Sequence, residues 1–249
     1  MTKTLILIPS RMAATRLPGK PLLKINNLSI VSHVFKRAEE ADIGEVVVAT
    51  GAQEIFADVL KNGGRAILTN ENHKTGTDRI FEGYKNLNIK NVDYILNLQG
   101  DEPDINKDDI INLNNLMINQ DAGLGTLAAK IQDDKMLNNK NVVKVITEKK
   151  LEENNFPTAL NFTRDSLSTN NQNTYHHIGI YSYKTSVLEK FVSLDQTNNE
   201  KKNKLEQLRA LDNKLKINVA LAKSSPIGVD TEEDYLAIKK IMEYKIKDE

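Results

Sequence analysis

Cysteine is absent from this 249-residue chain. That excludes a disulfide framework and any thiolate metal site, and leaves hard cations held by oxygen ligands, magnesium foremost, as the metals to consider. An excess of either charge is missing too: Lys and Arg total 34, and so do Asp and Glu. Overall electrostatics therefore draw the chain to neither nucleic acid nor an anionic membrane, and any anion site must be local. Long hydrophobic runs are also lacking. The amino terminus offers only residues 5–8 before Pro9, shorter than a signal-peptide core and far short of a membrane span, so the expected location is the cytoplasm. Tryptophan is absent and aromatics make up 5%, from which no function follows.

What is there suits one compact domain over residues 1–249, since a 39% hydrophobic content can bury a sizeable core. Short apolar, β-branched runs at 5–8, 46–49, 66–68, 94–98, 125–129 and 142–146 read as strands. Helix-period stretches separate several of them. After Ser29, a suitable N-cap, Ile30, Val31, Val34, Phe35 and Ala38 mark the apolar stripe of a helix over 30–41. Strands and helices in alternation predict a three-layer α/β/α sandwich with a mostly parallel sheet, because parallel neighbours need a long crossover. Ligands in such sheets sit beyond the carboxyl ends of strands, which directs attention to the segments after Ile8, Ala49 and Leu98.

In the second half, residues 177–183 alternate, with His177, Gly179, Tyr181 and Tyr183 on one face, so His177 and Tyr181 point together. Residues 195–204 read as a polar loop, followed by a helix with Leu205, Leu208 and Leu211 on one side. Thr231 caps the last helix, with Asp234 three residues on.

Three clusters carry chemistry. The first strand runs into Pro9-Ser10-Arg11 and on through Arg16, Gly19 and Lys20 to Pro21, which places three permanent cations on a loop at the sheet edge. Arginine forks match pairs of phosphate oxygens and lysine acts as a point charge, so the loop suits a polyphosphate; a solvated basic loop is the ordinary alternative, and the spacing is not that of a Walker A motif. Thr75-Gly76-Thr77-Asp78-Arg79 is able to read a base or ribose, or simply to cap a helix. The strand at 94–98 ends in Gln99-Gly100-Asp101-Glu102-Pro103, where Asp101 is the metal candidate: a carboxylate facing a triphosphate needs a divalent cation between them. A solvated turn is the plainer reading there, above all for Glu102. Asp230, just ahead of the last helix, is either a second metal carboxylate or a helix N-terminal charge.

The stretches IPSRMAATRLPGKPL, TGTDR, NLQGDEP, NVVKV, HIGIYSY, LEQLRAL and GVDTEED, in this order over nearly the whole chain, resemble those of the 3-deoxy-manno-octulosonate cytidylyltransferases, the CMP-Kdo synthetases of lipopolysaccharide synthesis. The resemblance implies a Rossmann-like nucleotidyltransferase fold, CTP and an acidic eight-carbon sugar as substrates, Mg2+, pyrophosphate release and a homodimer, with sugar binding and dimerisation within about 150–215. It assigns Pro9, Ser10, Arg11, Arg16, Lys20, Thr75, Gly76 and Arg79 to the nucleotide, and Asp101 and Asp230 to the metal. Arg11, Lys20, Asp101 and Asp230 become the catalytic set. Gln99, Arg164, His177, Tyr181, Glu206 and Gln207 fall on the sugar side, with Arg164 shaped to grip a carboxylate. The expected reaction is in-line attack of the anomeric hydroxyl on the α-phosphorus. Two departures stand out: Gly51 where the family usually has an aspartate after Ala-Thr, and Asn161-Phe162-Thr163-Arg164 where Tyr-Phe-Ser-Arg is usual. Rival readings are a cytidylyltransferase for an 8-amino analogue or another nonulosonic acid, a catalytically silent nucleotide-sugar-binding homologue, and a glycosyltransferase of similar topology.

Overall fold

A computed structural model describes residues 2–13, 16–167 and 173–245, apart from the side chains of Asp134 and Lys245. Residues 14–15 of the cationic loop and 168–172 of the expected sugar-binding portion lie outside the described residues. The chain parts into two compact units, one of Lys3–Lys107 with Pro226–Glu249, the other of Asp108–Ser225.

In the first unit, β1 (Thr4–Ser10) is followed by a 3-10 turn (Lys20–Leu22), a small antiparallel hairpin of β2 (Lys24–Ile25) and β3 (Leu28–Ser29), and helix α1 (Ile30–Glu40). Then come β4 (Gly44–Thr50), α2 (Gln53–Lys61), β5 (Ala66–Leu68), α3 (Gly76–Leu87) and β6 (Tyr94–Asn97). The strands are parallel in the order β6-β1-β4-β5. β1 is central and apolar on both faces, with Leu5, Ile6, Leu7 and Ile8 at most 1% exposed, which is why its sequence shows an unbroken run rather than alternation. Right-handed crossovers moving outward from β1 through β4 to β5 put α1 and α2 on one face, and the return from β5 to β6 puts α3 on the other. Ser29 caps α1 by accepting from the Ser32 amide, as its position predicts.

The second unit holds α4 (Lys107–Asn119, begun one residue before the boundary), β7 (Leu124–Ala129), α5 (Asp134–Asn138), β8 (Lys144–Thr147), β9 (Ala159–Thr163) and β10 (Thr174–Lys184). It continues with α6 (Thr185–Val192), α7 (Asn198–Asn203), α8 (Leu208–Asp212) and β11 (Asn218–Leu221). β11 and β7 pair in parallel, whereas β7-β10, β10-β8 and β8-β9 are antiparallel. The chain ends in α9 (Glu232–Lys245) of the first unit, capped reciprocally by Thr231 and Asp234.

Four details differ from the sequence reading. The polar stretch 195–204 contains α7, because Thr197 and Glu200 close a capping box that lets a segment with no apolar stripe form a helix. α8 starts only at Leu208, so Leu205 precedes it. The strand expected at 142–146 runs Lys144–Thr147. Alternation in β10 breaks at a register shift between Ile178 and Tyr181, which buries both Ser182 and Tyr183.

Glu200 is the internal anchor of the second unit. Both its oxygens accept from Arg209, at 2.9 and 2.6 Å, and the Arg209 guanidinium lies 4.8 Å from the centre of the Phe191 ring. Burial works against this carboxylate, but the Arg209 bonds prevail and hold its pKa below the usual value. Removing one partner leaves a buried charge uncompensated. Glu200→Ala is therefore expected to cost about 3–5 kcal/mol of stability, read from the urea midpoint; a loss below about 1 kcal/mol, the level of a surface ion pair, would contradict this role.

Candidate active site

At the carboxyl edge of the first unit's sheet, three segments far apart in sequence meet on one ammonium group. Gly19 adopts φ 71°, a left-handed conformation that a side chain would resist, and so turns the loop after β1 into the 3-10 turn that starts at Lys20. Lys20 Nζ then donates to Asp101 Oδ2 at 2.6 Å, to the Val229 carbonyl at 2.7 Å and to Asp230 Oδ1 at 3.2 Å. Arg16 Nη2 reaches Asp230 Oδ2 at 2.8 Å. Burial disfavours the Lys20 charge, but the Asp101 carboxylate and then Asp230 outweigh it and raise its pKa.

Around this centre lies a cleft of about 380 Å3, lined by Pro9, Ser10, Arg11, Arg16, Lys20, Pro21, His73, Lys74, Thr75, Gly76, Arg79, Gln99, Gly100, Asp101 and Asp230. Every residue that the sequence assigned to nucleotide and metal is in that wall, together with Gln99. Ser10 Oγ is buried and has no hydrogen-bond partner among the described residues, which suits a ligand oxygen. Thr75 caps α3 by accepting from the Asp78 amide, so α3 directs its N-terminus, and the partial positive charge there, at the cleft.

Arg79, expected among the donors that read the nucleotide, has its guanidinium engaged within the protein. It is 2% exposed, and its guanidinium donates to Thr69 Oγ1 and to the carbonyls of Asn70 and Glu71 at 2.7 to 3.1 Å. Gly51 explains the arrangement. A Cβ there would fall 2.7 Å from Glu71 Cα and 3.1 Å from Arg79 Nη1, so the chain at residue 71 occupies the space an aspartate would need. Glu82 braces the same loop, accepting from the Asn70 amide and contacting His73.

The sequence reading passed over His73 and Lys74. Their position just ahead of Thr75-Gly76 was the available signal. Glu102 was set aside as a turn residue; burial, with the neighbouring Asp101 charge adding to it, pushes its carboxyl up to about 8.

Among the described residues no cluster of three or more His, Asp or Glu side chains is able to hold a metal by itself. Asp101 and Asp230 nevertheless place oxygens around a single cation, the Lys20 ammonium, and a pair of carboxylates completed by phosphate and water oxygens is the donor set magnesium accepts. The residues fit that ion.

In the second unit, His177 is buried beside Phe162, with ring centroids 5.1 Å apart, edge to face. Burial lowers its pKa to about 3, with the charges of His176 and Arg164 adding, so the ring is neutral. Thr126 Oγ1 donates its one proton towards the Ile180 carbonyl at 2.7 Å and lies 3.1 Å from His177 Nε2. The Tyr181 oxygen lies 3.0 Å from the same nitrogen and is also hydrogen-bonded to Thr126. Arg164 Nη1 donates to the carbonyls of Lys140 and Asn141, at 3.4 and 3.1 Å. Gln207 is 8% exposed, and Glu206 Oε1 lies 3.8 Å from Arg209 Nη2.

The sequence profile of the cytidylyltransferase family matches residues 5–217. The 3-deoxy-manno-octulosonate cytidylyltransferase of Nitrobacter hamburgensis is 43% identical over 246 residues, 97% of this chain and 93% of its own. The solved structure of a CMP:2-keto-3-deoxy-manno-octonic acid synthetase complexed with CTP superimposes with a TM-score of 0.88 at 32% identity, over 98% of this chain and 100% of the other. A 4-diphosphocytidyl-2C-methyl-D-erythritol synthase from Anaerococcus prevotii, 12% identical with a TM-score of 0.66 over 97% of this chain and 99% of its own, shares the fold alone. The α/β fold is thus that of the nucleotidyltransferases, and the protein is an enzyme of that class. Within it, the chain belongs to the 3-deoxy-manno-octulosonate cytidylyltransferase family.

Gly51→Asp should displace the chain at Glu71 and cost about 1–3 kcal/mol, seen as a lowered Tm; an unchanged Tm would mean that the loop accommodates the side chain freely. For His177 the native pKa lies below the ordinary 6.5, so the unfolded state gains a proton first and stability falls as pH drops from about 6.5 towards about 3. NMR of the assigned imidazole is expected to show no titration between about pH 8 and about pH 5. A midpoint near about 6 would contradict its burial.

Proposed function

We propose that the protein transfers the CMP part of CTP to the anomeric hydroxyl of 3-deoxy-manno-octulosonate, releasing pyrophosphate. The observation that carries this reading is the convergence of Lys20 on Asp101 and Asp230 inside a cleft that also holds Arg11 and Arg16. Arg11, Arg16 and Lys20 bind the triphosphate and stabilise the departing pyrophosphate, where negative charge grows as the bond to the α-phosphorus breaks. Ser10, Thr75 and Gly76 orient the nucleotide from the wall of the cleft, and Arg79 acts by holding residues 69–71 in place. Asp101 and Asp230 would hold magnesium, which when bound supplies charge neutralisation and positioning of the phosphates. No protein nucleophile is required, because the sugar hydroxyl attacks phosphorus directly.

Gln99 in the first unit, with Arg164, His177, Tyr181, Glu206 and Gln207 in the second, binds the sugar. Arg164 pairs with its carboxylate, and the neutral His177 stands beside Tyr181 for the sugar's hydroxyls. The whole chain, 1–249, works as one nucleotidyltransferase domain whose sugar-binding and dimerisation portion lies within about 150–215. None of the described helices is long and apolar enough to cross a membrane, which accords with a cytoplasmic enzyme. The working assembly is a homodimer, as the sequence resemblance implies.

Pyrophosphate release from CTP, magnesium and 3-deoxy-manno-octulosonate tests the reading. The wild type is expected to form product and Asp101→Asn none. Lys20→Met should lose about 2–4 kcal/mol of transition-state stabilisation, roughly 30- to 1000-fold in kcat/KM. Turnover of Asp101→Asn at the wild-type rate, or release only with a different acidic sugar, would refute the assignment.

A further inference from the structure

Lys144 is the largest fully buried side chain among the described residues, at 0% exposure, and it forms no hydrogen bond to a carboxylate. Burying an ammonium is costly unless something requires it. Its Nζ donates to the carbonyls of Asn139 and Arg164, both at 3.1 Å. Arg164 answers from the other side, its Nη1 donating to the carbonyls of Lys140 and Asn141. Two cations thus lace the end of β9 to the turn before β8 through four backbone carbonyls. The other charged or titratable groups facing Lys144 are Asp165, just beyond β9, and His176, its partner across the strands, whose Nδ1 is 2.6 Å from Ser225 Oγ. Burial and then the Lys144 charge keep that imidazole's pKa below its ordinary value.

Carbonyls orient a cation without cancelling its charge, and the single Asp165 carboxylate offsets only one of the two cations, so the clasp keeps a net positive charge. A structural tie needs only donors, and a neutral side chain would supply them without the cost of burying a charge. We propose that Lys144 is a positioning residue for sugar binding: by fixing the Arg164 carbonyl it sets the backbone from which the guanidinium meets the substrate carboxylate, and its own charge strengthens that site for an anion. The inference rests on the assignment of Arg164 to the sugar carboxylate.

Steady-state kinetics on the full chain with CTP, magnesium and 3-deoxy-manno-octulosonate tests it, with Lys144→Met, which keeps the volume and removes the charge, beside Lys144→Arg and Arg164→Met. Lys144→Met is expected to raise KM for the sugar about tenfold or more, of the order lost with a charged hydrogen bond, and to leave KM for CTP unchanged. Lys144→Arg should recover most of the loss. The sugar's carboxamide, used as a competitive inhibitor, should bind wild type and Lys144→Met alike, because without the carboxylate the clasp has nothing to pair. A merely structural role would instead raise both KM values together or weaken acid and carboxamide equally, and either result overturns the proposal. If Arg164→Met raises KM for the sugar and Lys144→Met does not, this inference fails and the reading of Arg164 stands; if Arg164→Met has no effect, both fall. Should Lys144→Met not fold, Lys144→Gln, which keeps a donor and loses the charge, is judged by the same comparisons.

Discussion

One ammonium group organises the cleft of the first unit. Lys20 is brought in by the loop after β1, Asp101 by the turn after β6, and Asp230 and the Val229 carbonyl by the segment leading into α9, so positions up to 210 residues apart in sequence are fixed by a single charge. Its side chain is 14% exposed, whereas those of Asp101 and Asp230 are 31% and 51% exposed. The graded exposure matters. The inner group is held by bonds that solvent screens weakly, while the outer carboxylates keep oxygens turned to the cleft, where a divalent cation is able to share them.

The surroundings of that group show why the same few residues serve both folding and chemistry. The Val229 amide donates to the Asp101 carbonyl at 2.9 Å, so the strand end and the approach to α9 are joined through backbone as well as through Lys20. Below them, Ile25, Ile30, Val229, Ile238 and Met242 form a buried cluster that seats α9 against the β2-β3 hairpin and α1. Apolar burial of this kind supplies the bulk of the stability, and it leaves the polar groups above it preorganised rather than searching for partners, which is the condition for electrostatic catalysis.

Much of this was legible in the sequence, for identifiable reasons. The run at 5–8 betrayed a strand buried on both faces, Ser29 and Thr231 announced helix starts, and Gly100-Asp101 at a strand end marked part of a cleft wall. What escaped depends on contacts that no local pattern encodes. α7 carries no apolar stripe and exists because Thr197 and Glu200 cap it while Arg209 holds Glu200 from nine residues away. The polar stretch therefore looked like a loop. Arg79 resembled a free donor because nothing local says that the chain at 69–71 folds back over it, and the reason for Gly51 appears only once Glu71 is seen in the space a side chain would fill. His177 and Tyr181 were paired correctly by alternation, yet Thr126, which hydrogen-bonds to both, belongs to another strand.

The two units treat their cations in opposite ways, and the contrast bears on how two anionic substrates are handled by a chain of zero formal charge. In the first unit Lys20 and Arg16 are already neutralised by Asp101 and Asp230, so under the proposed assignment an incoming triphosphate would compete with carboxylates for them. That competition is resolved most cheaply if a divalent cation takes over the carboxylates as the phosphates take over the cations, which couples nucleotide affinity to metal. In the second unit the hydrogen bonds from Lys144 and Arg164 among the described residues go to carbonyls, with Asp165 facing Lys144. Under the proposed assignment the sugar's carboxylate would thus be met by charges separate from those around Lys20, so that a protein with no overall charge offers each anion its own source of attraction.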